Sequence, residues 1–109
     1  MNVEEIRNYV LTKEDVEECF PFGEDTLVFK TGGKIFLLIG LDAAELSFNV
    51  KADPDHAISL REEFPDHILP GYHMNKKHWN TVLVRGLKTS LIKEMIDDSY
   101  RLVTAKKRK

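Results

Sequence analysis

Apolar residues at helical spacing open the chain and predict an amphipathic helix over residues 2–11. Asn2 stands in the N-cap position, and acidic residues in the first turn suit the helix dipole. The segment that begins at Thr12 carries a capping-like signal, which predicts a second short helical turn through about Cys19. The proline and glycine that follow would end this turn.

The next part of the chain has the alternation of β-strands. An almost wholly apolar stretch predicts a central strand, and a regularly alternating stretch after it predicts a strand with one wet face. Gly32-Gly33 indicates a two-residue hairpin turn, because glycine accepts the positive φ angles of tight turns. The three predicted strands, which most simply form an antiparallel meander, are 26–31, 35–41 and 46–51.

The second half predicts a helix, two strands and a final helix. Asp53-Pro54 is typical of a helix start, with aspartate as cap and proline at the first helical position. The predicted elements are a helix from 54 to 64, strands at 68–72 and 79–85, and a helix at 89–105. The order α-β-β-β-α-β-β-α predicts a single α+β domain over residues 1–105, followed by a basic tail at 106–109.

Composition fits one soluble globular domain. The 109 residues are 42% hydrophobic and 31% charged, and the one cysteine excludes an internal disulfide. The N-terminus has no secretory signal pattern, and the longest apolar run, 35–39, is far too short to span a membrane. We therefore expect a cytoplasmic protein, monomeric by default, with no membrane partner.

Charge is distributed unevenly along the chain. Residues 1–66 contain 15 acidic and 6 basic residues, whereas residues 67–109 contain 3 acidic and 10 basic residues. A basic half suggests a polyanionic partner such as nucleic acid. The alternative is that the two halves fold together and neutralise each other, since the formal net charge is only −2.

One stretch, residues 70–82, concentrates the chemistry of the chain. It holds the only tryptophan, two of the four histidines and a lysine pair, and it lies in an acid-free span between Asp66 and Glu94. Trp79 is more often a core anchor than a ligand platform. A structural cluster of Tyr72, His73, Trp79 and Tyr100 is therefore one interpretation of this stretch.

The order of motifs along the chain resembles the YjbR family of small bacterial proteins, also called MmcQ-like. The matching segments are 20–23 (FPFG), 27–30 (LVFK), 33–36 (GKIF), Lys51 with Asp53-Pro54, 70–82 (PGYHMNKKHWNTV) and 98–103 (DSYRLV). The resemblance implies a frataxin-like fold, with helices packed against a twisted antiparallel sheet. It also implies a proposed "double wing" DNA-binding role and no enzyme activity.

The residues themselves allow the same hypothesis. Two predicted tips, 30–34 and 74–78, each place two lysines at or beside a tight turn, where long cationic side chains reach phosphates. Such binding would be weak and largely independent of sequence, because phosphate contacts carry no base information. The alternative is that these lysines are ordinary solvated surface. The candidate nucleic-acid-binding residues are Lys30, Lys34, Asn75, Lys76, Lys77, His78 and Arg85.

Other chemistry is less well supported. His67, His73 and His78 lie close in sequence, but no cysteine pair or nearby carboxylate completes a zinc-type ligand set. Nothing in the sequence places a base beside Cys19, and Gly32-Gly33 does not precede a helix as a phosphate loop would. We therefore expect no catalytic residues, metal or cofactor. The competing hypothesis is a non-catalytic module that binds another protein or a small ligand.

Overall fold

Three helices and six strands make up the part of the chain described by the computed structural model, which comprises residues 1–42, 44–71 and 74–104. The helices are α1 (Val3–Val10), α2 (Pro54–Glu63) and α3 (Thr89–Thr104). The strands are β1 (Val16–Cys19), β2 (Thr26–Thr31), β3 (Lys34–Gly40), β4 (Ser47–Lys51), β5 (Ile68–Pro70) and β6 (Trp79–Leu83). None of these helices is long and apolar enough to cross a membrane.

All six strands form one antiparallel sheet in the order β1-β2-β3-β4-β6-β5. The predicted meander is confirmed as β2–β3–β4. The last strand, β6, then enters beside β4 and leaves β5 at the edge. Since β1 and β5 are the two outer strands, the sheet formed by the described residues has its free edges at Val16–Cys19 and Ile68–Pro70.

The three helices cover one face of the sheet, and the main core lies between the two layers. Buried residues of α1 and α3, such as Ile6 and Ile96, pack there against Phe29, Leu37 and Phe48 of the sheet. This arrangement confirms the predicted α+β domain with an antiparallel sheet and helices packed against it.

The opposite face of the sheet carries a smaller apolar cluster of Val28, Leu38 and Trp79. The residues packed around it are Cys19, Ile35 and Met74, so among the described residues this cluster contains no helical side chain. We call this the open face. Trp79 is only 8% exposed, which confirms its predicted role as a core anchor.

A β-bulge interrupts the pairing of β2 with β3. Phe29 pairs with Leu37, but the next residue, Lys30, pairs with Ile35. Phe36 is therefore the extra residue. The bulge lies near the beginning of β3, just after the hairpin turn.

Local signals placed two of the helix starts correctly. Asn2 caps α1 through a capping box, in which Asn2 Oδ1 accepts from the Glu5 N–H at 2.8 Å and Glu5 Oε1 accepts from the Asn2 N–H at 2.9 Å. Pro54 opens α2 as predicted, but Asp53 makes no side-chain capping hydrogen bond. Asp53 therefore occupies the N-cap position without the predicted contact.

The predicted short helical turn from Thr12 to Cys19 is wrong. Residues 12–15 form turns, and Val16–Cys19 is strand β1, paired with β2. Asp15 adopts a positive φ of 58°, a conformation that does not continue a right-handed helix. The strands predicted at 68–72 and 79–85 are also shorter than expected, ending at Pro70 and Leu83. Residue 72 and the tail 105–109 lie outside the described residues.

Candidate functional site

The strand register brings the two predicted lysine tips to the same end of the sheet. The turn 31–34 joins β2 to β3, and β3 begins beside the point where β4 ends, since Leu37 pairs with Val50. Lys51, the last residue of β4, pairs with Trp79, the first residue of β6. One end of the sheet therefore contains residues 30–34, 51–52 and 74–79, and we call it the lysine end.

The lysines of this end differ in the face they occupy. Lys30 pairs with Ile35 and Lys51 pairs with Trp79, and both partners belong to the open-face cluster, so both lysines lie on the open face. Lys34 pairs with Thr31, which is buried on the helical side of the sheet. Lys30 and Lys51 stand two strands apart, which corresponds to roughly 10 Å.

The connection that precedes β6 is built around Asn75. Its Oδ1 accepts a hydrogen bond from the Lys77 N–H at 2.9 Å, and its carbonyl oxygen accepts from the N–H groups of His78 and Trp79. This Asx-type turn exposes the side chains of Lys76, Lys77 and His78. The Asn75 side chain thus serves the turn with its acceptor oxygen.

Two further contacts fix the position of this connection. The carbonyl oxygen of His78 accepts from the Ala52 N–H at 2.8 Å, which ties the turn to the link between β4 and α2. The Gly71 N–H donates to the carbonyl oxygen of Trp79 at 2.9 Å. Exposed Lys76 and Lys77 are therefore held on a backbone that is anchored at both sides.

Lys51 is the residue of this end that sequence reasoning missed. Its Nζ lies 5.7 Å from the centroid of the Trp79 ring, within the range of a cation–π contact. The alternation of Ser47, Asn49 and Lys51 does predict a wet strand face. What the sequence does not reveal is that β6 inserts next to β4 and so brings Trp79 beside Lys51.

Acidic residues limit the positive charge of the lysine end. Glu17 is the cross-strand neighbour of Lys30, and exposed Asp53 and Asp55 follow Lys51 at the start of α2. The arrangement can attract phosphates through several lysines, but it is a mixed surface and not a uniform cationic patch.

Arg85 does not share the lysine end. It follows β6, whose last residue, Leu83, pairs with Ser47 at the beginning of β4. Arg85 is exposed at the opposite end of the sheet, so the structure brings together the other candidate residues without it.

The proposed structural cluster around Trp79 is also not formed as expected. Trp79 lies on the open face, whereas Tyr100 packs against the main core on the helical side, with its ring 5.3 Å from that of Phe36. Tyr72 and His73, the other two members, lie outside the described residues. Over 1–42, 44–71 and 74–104, no group of three or more His, Cys, Asp and Glu side chains has an arrangement that could hold a metal ion.

A second polar cluster, on the helical side, joins α1 to α3. Asp97 Oδ1 accepts from the Tyr9 hydroxyl at 2.6 Å and from Lys13 Nζ at 2.5 Å. Lys13 Nζ also lies 5.1 Å from the Tyr9 ring centroid and 5.2 Å from that of Tyr100. Tyr9 borders an open groove of about 480 Å³ between the two helices. The groove is shallow, and two of its lining residues join the helices: Tyr9 hydrogen-bonds to Asp97, and Lys93 Nζ lies 5.0 Å from the Tyr9 ring centroid. We therefore assign it a structural role.

The contacts of this cluster shift the pKa values of Tyr9 and Asp97. Burial, together with the hydrogen bond to Asp97 and its charge, raises the pKa of Tyr9 to about 12. Burial alone would raise the pKa of Asp97, but the hydrogen bonds from Lys13 and Tyr9 and the lysine charge outweigh it and lower that pKa. Asp97 is therefore held in its ionised form.

The fold and the lysine end together define a small α+β protein with one helix-covered sheet face and one open face. The family model described as YjbR matches residues 11–102. The chain therefore belongs to the YjbR family, which confirms the resemblance seen in its motifs.

Bacterial relatives agree with this assignment. The chain is similar to the uncharacterized protein YbdF of Escherichia coli O157:H7, with 43% identity over 81% of this chain and 72% of the relative. It is also similar to the uncharacterized protein YjbR of Escherichia coli K12, with 28% identity over 93% of this chain and 86% of that protein.

Two solved structures share the fold. The crystal structure of Deinococcus radiodurans protein DR2400 superposes with a TM-score of 0.90 at 37% identity, over 94% of this chain and 78% of that one. A crystal structure of a Pseudomonas syringae protein gives a TM-score of 0.76 at 28% identity, over 94% of this chain and 98% of that one. The frataxin-like relationship and the double-wing role remain predictions.

Proposed function

We propose that this protein binds nucleic acid weakly and largely without sequence preference, through the lysine end, and that it carries out no catalysis. The observation that supports this proposal is the strand register, which gathers lysines from three separate parts of the chain at one end of the sheet. The lysines are Lys30, Lys34, Lys51, Lys76 and Lys77. Lysine contacts to phosphate provide affinity that depends strongly on salt.

The same geometry favours contacts with the sugar–phosphate backbone of the nucleic acid over recognition of its bases. Trp79 is buried, so its ring is not free to stack on an unpaired base. The acceptor oxygen of Asn75 is used by its own turn. With Glu17 opposite Lys30, the affinity expected from the few remaining lysine–phosphate contacts is low.

Fluorescence anisotropy with a labelled DNA duplex of about 20 base pairs, measured over a series of salt concentrations, tests this proposal. The logarithm of the affinity should fall linearly with the logarithm of the salt concentration, with a slope of about −0.9 for each phosphate contacted. The double variant Lys76→Glu/Lys77→Glu should remove most of the binding and make the slope shallower by about two.

The matched control is Arg85→Glu/Lys88→Glu, which changes the total charge equally but alters exposed residues in the loop after β6, away from the lysine end. It should retain most of the affinity and the full slope. Equal losses in the two double variants would show that only overall charge matters and would reject the lysine end as the site. Absence of salt-dependent binding by the unmodified protein would reject the proposal altogether.

A further inference from the structure

The two free edges of the sheet differ in their ability to accept another strand. β5 is only three residues long and ends in Pro70, which has no backbone N–H to donate. β1 contains no proline, and within the described residues no strand pairs with its outer side. An edge strand of this kind presents unpaired N–H and C=O groups that can bind an extended chain.

Two exposed phenylalanines follow directly after this edge. Phe20 is 50% exposed and Phe22 is 65% exposed, although both lie in an ordered turn in which the Gly23 N–H donates to the carbonyl oxygen of Phe20 at 3.3 Å. Leu41, 41% exposed, lies beside the same turn, because its N–H donates to the carbonyl oxygen of Asp25 at 2.7 Å. Aromatic side chains that remain in water beside an open strand edge are typical of an interaction site.

The charge of this segment identifies the chemistry of its partner. Residues 14–29 contain six acidic residues and no basic ones. Glu18 forms an ion pair with Arg7 at 2.5 Å, while Glu14, Asp15, Glu17, Glu24 and Asp25 are exposed. Nucleic acid would be repelled here. A second copy of this chain fits poorly too, because pairing two β1 strands would place acidic residues against each other.

We propose that the β1 edge, with Phe20 and Phe22, binds an extended basic peptide segment of a partner protein. The peptide would add to the sheet as a strand beside β1, its lysine or arginine side chains near the exposed carboxylates. An apolar side chain of the peptide would lie against the two phenylalanines. Phe20 and Phe22 follow the end of β1 that lies farther from Lys30, and the two sites adjoin at Glu17, the cross-strand neighbour of Lys30. Neither proposal depends on the other.

The probe is a fluorescein-labelled peptide of about ten residues with alternating lysine and valine, long enough to span an edge strand. The peptide should bind the protein, and its affinity should fall as salt is raised. Binding should shift the amide resonances of β1, Phe20 and Phe22 in NMR spectra. A glutamate–valine peptide of the same length should not bind. A lysine–valine peptide that is N-methylated at alternate residues should lose binding, because it cannot complete the strand hydrogen bonds.

Two variants and a control locate the site. Phe22→Ser should lower the affinity for the lysine–valine peptide by about tenfold, as expected for loss of an aromatic anchor. Glu17→Lys, tested as a separate variant, should lower that affinity at low salt. Ile58→Ser removes an apolar side chain of α2 that is 48% exposed, close to the 50% of Phe20, and should leave the affinity unchanged.

Three results would overturn the proposal. The first is that Phe22→Ser binds the lysine–valine peptide as tightly as the unmodified protein does. The second is that the N-methylated peptide binds as tightly as the unmethylated one. The third is that sedimentation shows a dimer of the unmodified protein and a monomer of Phe22→Ser. The last result would assign this edge to self-association.

Discussion

The hydroxyl of Ser99, on α3, lies 2.6 Å from the carbonyl oxygen of Phe36, the bulged residue of β3, and donates a hydrogen bond to it. The same hydroxyl accepts from the backbone N–H of Lys51 at 2.9 Å. Ser99 thus bridges β3 and β4 just beyond Leu37 and Val50, the last pair of their ladder at the lysine end. One buried side chain fixes the backbone that carries Lys51.

We expect Ser99→Ala to destabilise the protein by about 1–3 kcal/mol, because two backbone groups lose their partner in a buried site. Urea unfolding measures the change. Ser59→Ala, at an exposed position within α2, is the control and should stay within about 0.5 kcal/mol of the unmodified protein. If the two variants unfold at the same urea concentration, the bridge contributes nothing to stability.

Gly71 is required by close packing against β6. A Cβ atom at this position would lie 2.7 Å from Trp79 Cβ and 3.0 Å from the Trp79 carbonyl oxygen, so the backbone would have to shift. We expect Gly71→Ala to cost about 1–3 kcal/mol and to change the fluorescence of the only tryptophan. Gly40→Ala is the matched control, since nothing lies within 4 Å of its added Cβ. A Gly71→Ala protein as stable as Gly40→Ala would contradict this packing.

Asp97 should make the protein sensitive to acid. Its folded pKa is lowered, so the unfolded chain binds more protons in the acid range, and stability falls as the pH drops below the ordinary aspartate pKa towards the lowered one. Above that range the stabilisation is fully present. We expect Asp97→Asn to lower stability at neutral pH by about 1 kcal/mol or less, because the Lys13–Asp97 ion pair is partly exposed. The variant should also lose stability less steeply than the unmodified protein as the pH falls into the acid range. Thermal unfolding between neutral and acid pH measures both effects. An unchanged loss of stability at acid pH in the variant would exclude Asp97 as the source of that loss.

Tyr9 should ionise unusually late. Because burial and the hydrogen bond to Asp97 raise its pKa to about 12, its phenolate absorbance should appear only near that pH. The stabilisation linked to this shift is present below the ordinary tyrosine pKa and is lost as the pH rises through about 12. Ultraviolet titration of the unmodified protein and of Tyr9→Phe checks this, since the variant should lack the late phase. Persistence of that phase in Tyr9→Phe would assign it to another tyrosine.

The local features of the fold could be predicted from the sequence, and the pairing of distant segments could not. Asn2 and Pro54 mark helix starts through contacts within a few residues. β1 was missed because its acidic residues suit a helix, and only its pairing with β2 makes it a strand. Lys51 was missed for the same reason, since its contact with Trp79 depends on where β6 enters the sheet.

Arg85 is an instructive exception, because elementary geometry would have excluded it. A strand rises about 3.3 Å per residue, so the predicted strand 79–85 separates its two ends by roughly 20 Å. Arg85, at the far end of that strand, therefore could not share a surface with Lys76 and Lys77, which precede it. The candidate list followed closeness in sequence where the direction of the strand mattered more.

The extra residue at Phe36 has a further effect on β3. Side chains of a regular strand alternate, so Ile35 would face the same way as Leu37. With the bulge, Ile35 instead joins the open-face cluster with Leu38, three residues away, while Leu37 remains in the main core. The bulge takes up Phe36 as one extra residue, so Lys34 and Ile35 keep the faces that they would have if Phe36 were absent. A strand that included Phe36 in regular alternation would instead move Ile35 to the helical side and Lys34 to the open face. The orientation of the hairpin tip is therefore set within β3, at the bulge.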